Sequence, residues 1–157
     1  MDEQDGALAA IEQAMLVIRR RQGRGNLRQA VPRDHVDPAA LTWIPALEAI
    51  EELAPVGTVS TVAHLIGLDA SRASRIAAAA ASAGYVERVA SQTDGRAVHL
   101  ILSPAGQRFV DYAHAYRRGT IDRAMRDWEP GERARFVELL SRFAQALDAD
   151  GLEELAT

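Results

Sequence analysis

Apolar residues at Leu8, Ile11, Met15 and Ile18 recur every three or four positions, the spacing that lines one face of an α-helix. This pattern predicts a first helix from about Gln4 to Gln22, weakened at Gly23 and Gly25, resuming through Gln29 and ended by Pro32. Asp37-Pro38 reads as an N-cap and first helical position. Pro45 argues against one continuous helix from there. A short turn over 38–41 and a second start at Thr42 are expected, with Leu47, Ile50 and Leu53 leading to Ala54 and Pro55 and Gly57 as the stop.

Thr58–Ser60 reads as a short extended piece, and Ser60 as the cap of a helix through Leu65 that Gly67 ends. Asp69 or Ser71 caps the next helix, which runs through Ala83 and is closed by Gly84. Tyr85–Ala90 and Ala97–Leu102 read as strands around the turn-forming Gln92-Thr93-Asp94-Gly95, with Val98, Leu100 and Leu102 on one face. Ser103-Pro104 opens a long helix to about Trp128. Pro130 opens a last one, in which Phe136, Leu139, Leu140, Phe143 and Leu147 keep helical spacing.

Two short helices joined by a glycine-containing turn are a helix-turn-helix candidate, and a β-hairpin directly behind them is a wing. The expected fold is mainly α with a small β wing. Residues 32–103 form a winged helix-turn-helix lobe with its core at 58–103, and residues 1–31 and 104–157 form a helical dimerisation region. The outer helices are too long and apolar to stand alone, because most helical stability comes from packing an apolar face. They either pack on the central module or interlock with a second chain, and long helices at both ends favour the homodimer.

Composition narrows the chemistry. The 157 residues contain no cysteine, which excludes disulfides, thiolate catalysis and thiol-based redox sensing. No stretch approaches the ~20 apolar residues of a membrane span, and no secretory leader is recognisable, so the cytoplasm is the expected compartment. All 18 basic residues are Arg, and the net charge is −4. Segment 58–103 holds Arg72, Arg75, Arg88 and Arg96 against Asp69, Glu87 and Asp94, a local balance of +1 on an acidic scaffold. Glycine-rich phosphate loops and His-Glu helix motifs are absent, and acids and histidines lack the spacing of general acid–base pairs, so an enzyme is not expected and no cofactor is implied.

Several stretches together resemble the MarR (multiple antibiotic resistance regulator) family. They run Leu65-Ile66-Gly67-Leu68-Asp69-Ala70-Ser71-Arg72-Ala73-Ser74-Arg75, Ala83-Gly84-Tyr85-Val86-Glu87-Arg88, Asp94-Gly95-Arg96-Ala97-Val98 and Leu102-Ser103-Pro104-Ala105-Gly106. The resemblance implies a homodimer that binds a pseudo-palindromic operator on double-stranded DNA. It implies a repressor, released by a small aromatic effector held between lobe and dimerisation domain. The Ala77–Ala81 run and Gly95 stand where the family often carries charge, which lowers the number of DNA contacts expected.

The start of a recognition helix reaches base edges in the major groove, which here means Ala70, Ser71, Arg72, Ala73, Ser74 and Arg75. Arg72 is expected to read a base, and Arg75 to meet phosphate or pair with an acid. Ala73, Ile76 and Ala80 are expected to face the core. Ser60 or Thr61 offers a phosphate contact. Arg96 at the hairpin tip suits a narrow minor groove, and Asp94 suits its orientation, the role that the resemblance suggests.

Arg19, Arg20, Arg21, Arg24 and Arg28 read either as a solvated helix end, as flanking phosphate contacts or as an anion site. Trp43, Ile44, Leu47, Tyr112 and Tyr116 are the candidate effector pocket, against ordinary core packing. His114 stands alone on its helix and His35, His64 and His99 are scattered, short of the three or four convergent ligands zinc needs, so no metal site is expected. The alternative to a DNA regulator is a winged-helix protein interaction module that no longer binds DNA.

Overall fold

The computed structural model describes residues 3–21, 40–90 and 97–154. They are mostly helical with one two-stranded antiparallel sheet. Helix α1 spans Glu3–Arg21, within a residue of its expected bounds. Its apolar face is uncovered, with Leu8, Ile11, Met15 and Ile18 each about half exposed. The expected resumption through Gln29, the Pro32 stop, the Asp37-Pro38 start, Arg24, Arg28 and His35 lie outside the described residues.

After a 3-10 turn at Ala40–Thr42, α2 spans Ile44–Glu52. Trp43 is its N-cap and Pro45 sits in its first turn, where the missing N–H costs nothing. The expected second start at Thr42 is therefore two residues early, since the 3-10 turn takes that residue. Helix α3 spans Val59–Leu65 and is capped by Thr58, not by the expected Ser60. Thr58 is extended, at φ −113 and ψ 167, and its Oγ1 accepts from the Thr61 amide at 3.2 Å. Thr61 Oγ1 accepts in return from the Thr58 amide at 2.8 Å. Only a residue with extended backbone can turn its side chain onto the orphan amides of the first turn, and Ser60 is already helical.

Gly67, at φ +64, turns the chain out of α3, and Asp69 starts α4, Ala70–Ser82, by accepting from the Arg72 amide at 2.8 Å. Gly84, at φ +79, turns the chain from the end of α4 into the sheet. Both glycines adopt a left-handed conformation that a Cβ makes costly.

Strands β1, Val86–Ala90, and β2, Val98–Leu102, pair with Val86 opposite Leu102 and Ala90 opposite Val98. Each is one residue shorter than expected at its start. Leu100 is fully buried, while Val98, towards the hairpin tip, is exposed. The Leu100 amide donates to the Gly57 carbonyl at 2.8 Å, and His99 Nδ1 donates to the Val56 carbonyl at 3.0 Å. These two bonds bind β2 to the segment between α2 and α3.

The core joins Leu47 and Ile50 of α2, Val62 of α3, Ala77 and Ala80 of α4, Val86 and Leu100 of the sheet, and Phe109 and Val110 of the next helix. Fully burying one such large side chain stabilises by about 1.5–3 kcal/mol. That next helix is α5, Pro104–Ala124. Its start is fixed by Ser103, whose Oγ donates to the Gly84 carbonyl at 2.5 Å and accepts from the Gly106 amide at 3.1 Å. Gly106 is buried so close to the sheet that a Cβ there would lie 2.0 Å from the Tyr85 carbonyl oxygen. The same hydroxyl thus ties the turn after α4 to the start of α5.

The chain divides into two compact units, Met1–Tyr116 and Arg117–Thr157. In the second, α5 stops at Ala124, four residues short of the expected Trp128. Arg133 explains the stop, because its Nη2 donates to the Met125 carbonyl at 2.6 Å and so satisfies the turn that follows the helix. Helix α6 spans Pro130–Glu154. Its start is set by Pro130 in the first helical position and by Glu132, whose carboxylate accepts from the Glu129 amide at 2.9 Å. Trp128 meets Phe136 edge-on at 5.2 Å. Phe136, Leu139, Leu140, Phe143 and Leu147 remain more than a third exposed.

Candidate nucleic-acid interface

Helix α4 is amphipathic in a way that fixes which side is available. Ala73, Ala77 and Ala80 are buried and Ile76 is half-buried, against α3, β1 and α2. Ala73 and Ala80 therefore lie in the core as expected, and Ile76 lies at its edge. Ala70, Ser71, Arg72, Ser74 and Arg75 are all exposed. The alanine run serves packing on its inner side, because small residues let α4 lie close to its neighbours. Glycines at both ends and the Asp69 cap hold the helix against a rigid lobe, which gives its exposed side chains defined positions.

Ser60 and Thr61 are exposed at the start of α3. The Thr61 hydroxyl already accepts from the Thr58 amide and donates to the Thr58 carbonyl at 3.1 Å. The Ser60 side chain stands outside that capping pair. Asp94 and Arg96 lie outside the described residues, as do all of residues 91–96. Arg19, Arg20 and Arg21 occupy the last turn of α1, where cations complement the helix dipole.

The five residues considered for an effector have unlike surroundings. Ile44 and Leu47 belong to the closed core. Trp43 packs at its margin, edge-on to Tyr85 at 6.1 Å, and Tyr85 in turn lies 5.3 Å from Phe109. Tyr112 is exposed and Tyr116 half-buried.

A polar group between α2 and α5 was not legible beforehand. His114 Nε2 lies 3.5 Å from Glu48 Oε1 and 3.8 Å from Glu51 Oε2. Gln107 donates to the Glu51 carboxylate and, at 3.2 Å, to Asp111 Oδ1. The Glu48 and Glu51 spacing of three residues signals a shared helix face, but nothing in the sequence names a partner 56 to 66 positions away.

The side chains so arranged can donate hydrogen bonds and carry positive charge on one exposed helix face. Such a surface can bind an anionic polymer and read hydrogen-bond acceptors. Among the described residues no helix is long and apolar enough to cross a membrane.

Residues 38–97 match the model of the MarR family. No protein of curated function matches the chain in sequence. Solved structures share its fold over nearly all of its length. A MarR family protein from Bacillus stearothermophilus is 18% identical, with a TM-score of 0.75, over 94% of this chain and 99% of that one. RV1404 from Mycobacterium tuberculosis is 20% identical, with a TM-score of 0.70, over 93% and 95%. FabT from Streptococcus pneumoniae, solved in complex with DNA, is 22% identical, with a TM-score of 0.62, over 94% and 99%. At these identities the likeness shows the fold, which is the mainly helical winged helix-turn-helix that the sequence led us to expect.

Proposed function

We propose that this MarR-family winged-helix protein binds a pseudo-palindromic operator as a homodimer and acts as a transcriptional repressor. The observation that carries the proposal is the exposed start of α4. There Ala70, Ser71, Arg72, Ser74 and Arg75 project from a helix anchored by the Asp69 cap and by the buried alanine face. A helix presented in this way fits the major groove. Ser60 and Thr61 lie at the start of the preceding helix, which suits phosphate contacts. Arg96, oriented by Asp94, is assigned to the minor groove beside the wing.

The homodimer is supported by the uncovered apolar faces of α1 and α6, which one chain leaves in water. In this reading residues 1–31 and 104–157 form the dimerisation region, and each 32–103 lobe meets one half-site. The finer step is release by a small aromatic effector seated near Trp43, Ile44, Leu47, Tyr112 and Tyr116. The FabT–DNA complex supports the DNA-binding part, since that protein has the same fold.

A footprint on the promoter nearest the protein's own gene tests the reading. Two protected half-sites with centres roughly 34–36 Å apart, or a multiple of that, are expected for a two-fold symmetric dimer. Arg96→Ala should weaken binding to that site by about 1–3 kcal/mol. A promoter left unprotected, or a wild-type and Arg96→Ala pair with equal affinity at fixed salt, contradicts the operator or the wing assignment respectively.

A further inference from the structure

The exposed residues of α4 are not equivalent. At 3.6 residues per turn, Ser71, Arg75, Ala78 and Ser82 fall on one narrow line, being four, seven and eleven positions apart. All four are exposed. The buried residues Ala73, Ala77 and Ala80 lie about half a turn around the helix from that line. Arg75 therefore stands directly opposite the core, on the side that enters the groove deepest when α4 is presented to DNA. Arg72 lies roughly a quarter turn to one side, in line with Ala79, and Ser74 about as far to the other.

The surroundings of the two arginines differ in the same sense. Arg72 sits in the first turn, and its amide is held at 2.8 Å by the Asp69 carboxylate. Its place beside the helix start and off the central line suits a DNA backbone phosphate. Arg75 is flanked along its line by Ser71 and Ala78, side chains too short to hold the helix away from the base pairs. Guanine offers O6 and N7 as two acceptors in the plane of the base, which a guanidinium meets with two parallel N–H donors. Ala78 is a bare methyl about 4.5 Å further along the helix axis, close to one base-pair step, and a methyl has no partner in the groove except the 5-methyl of thymine.

We propose that Arg75, not Arg72, is the base-reading residue of this protein, donating both guanidinium N–H groups to one guanine per half-site, and that Ala78 selects a neighbouring thymine through its methyl group. The assignment rests on the DNA-binding reading above, and it reverses the roles expected from the sequence. It also explains how an alanine-rich recognition helix discriminates at all. One bidentate arginine fixes a guanine, and the alanine that follows contributes by shape, not by hydrogen bonding.

The test is selection from a randomised duplex pool with the wild-type protein, followed by titration of the selected duplex. Replacing the selected guanine by 7-deazaguanine, which removes only N7, should weaken wild-type binding about tenfold and leave Arg75→Ala binding unchanged. Arg72→Ala should retain the selected sequence, bind all sequences more weakly and show a salt slope smaller by about one. Replacing the neighbouring thymine by deoxyuridine, which removes only the methyl, should weaken the wild type and not Ala78→Gly. Comparing the two duplexes on one protein cancels any cost of glycine to the helix.

Loss of the guanine preference in Arg72→Ala with its retention in Arg75→Ala overturns the assignment, and so does a wild type indifferent to deoxyuridine at every thymine. A wild type that selects no sequence contradicts DNA reading itself, and the assignment falls with it. The two failures are therefore separable.

Discussion

Gly106→Ala is expected to lower the melting temperature by roughly 6–12 °C, the consequence of about 3 kcal/mol of overpacking in a chain of this size. The added methyl would lie 2.0 Å from the Tyr85 carbonyl oxygen and 3.0 Å from its carbon. Neither atom can move freely. The Tyr85 carbonyl accepts from the Ser103 amide at 3.0 Å, and the Ser103 hydroxyl bridges the Gly84 carbonyl and the Gly106 amide. Relief of the clash requires α5 to back away from the sheet, which uncovers Phe109 and Val110. Gly119→Ala is the control. Its Cβ meets only the end of the Arg123 side chain at 3.6 Å, so the substitution should be neutral or stabilise by up to about 1 kcal/mol. Equal thermal melts for Gly106→Ala and the wild type would contradict the close approach.

The second large effect concerns assembly. Leu140→Glu with Leu147→Glu is expected to convert the protein from a dimer to a chain of 17.0 kDa in sedimentation, with unchanged helical circular dichroism. The two leucines are seven positions apart on one face of α6, 48% and 50% exposed. In the proposed dimer they are buried against the second copy, and a carboxylate placed there loses its hydration without a partner. A lobe that must find its half-site alone also loses the gain from simultaneous engagement, so operator affinity should fall by about 10²–10⁴-fold. A variant that still sediments as a dimer, or a wild type that sediments at the single-chain mass, contradicts this use of the apolar faces.

Much of the architecture was legible in the sequence because the signals were local. Gly67 and Gly84 mark the ends of α3 and α4, since only glycine takes those backbone angles at little cost. Ser103-Pro104 marks the start of α5 for an equally local reason. Errors arose where a distant residue decided the outcome. The end of α5 depends on Arg133, which reaches back from α6 to the Met125 carbonyl. The cap of α3 went to Thr58 because Thr61 returns its hydrogen bond, a reciprocal pairing weaker in sequence than the Glu or Gln usually found there.

The functional surface was legible only in part. The sequence points to the start of α4 and assigns base reading to Arg72, whereas the proposal above prefers Arg75 because burial of Ala73, Ala77 and Ala80 fixes the angle around the helix. The clasp of His114, Glu48, Glu51 and Gln107 joins helices far apart in the chain, so periodicity along either one could not show it. For Asp94 and Arg96 the sequence reading is the whole basis, because residues 91–96 lie outside the described residues.

The central claim is sequence-specific DNA binding, and the most direct measurement is a titration of a promoter duplex against a scrambled duplex of equal length, from 50 to 200 mM salt. An operator-binding dimer should prefer the promoter duplex by at least about 10³-fold. Its affinity should also fall steeply as salt rises, since counterions are released from each phosphate it neutralises. Equal affinity for both duplexes at every salt concentration, or no binding to either, would contradict the claim and favour a winged-helix module that binds protein partners.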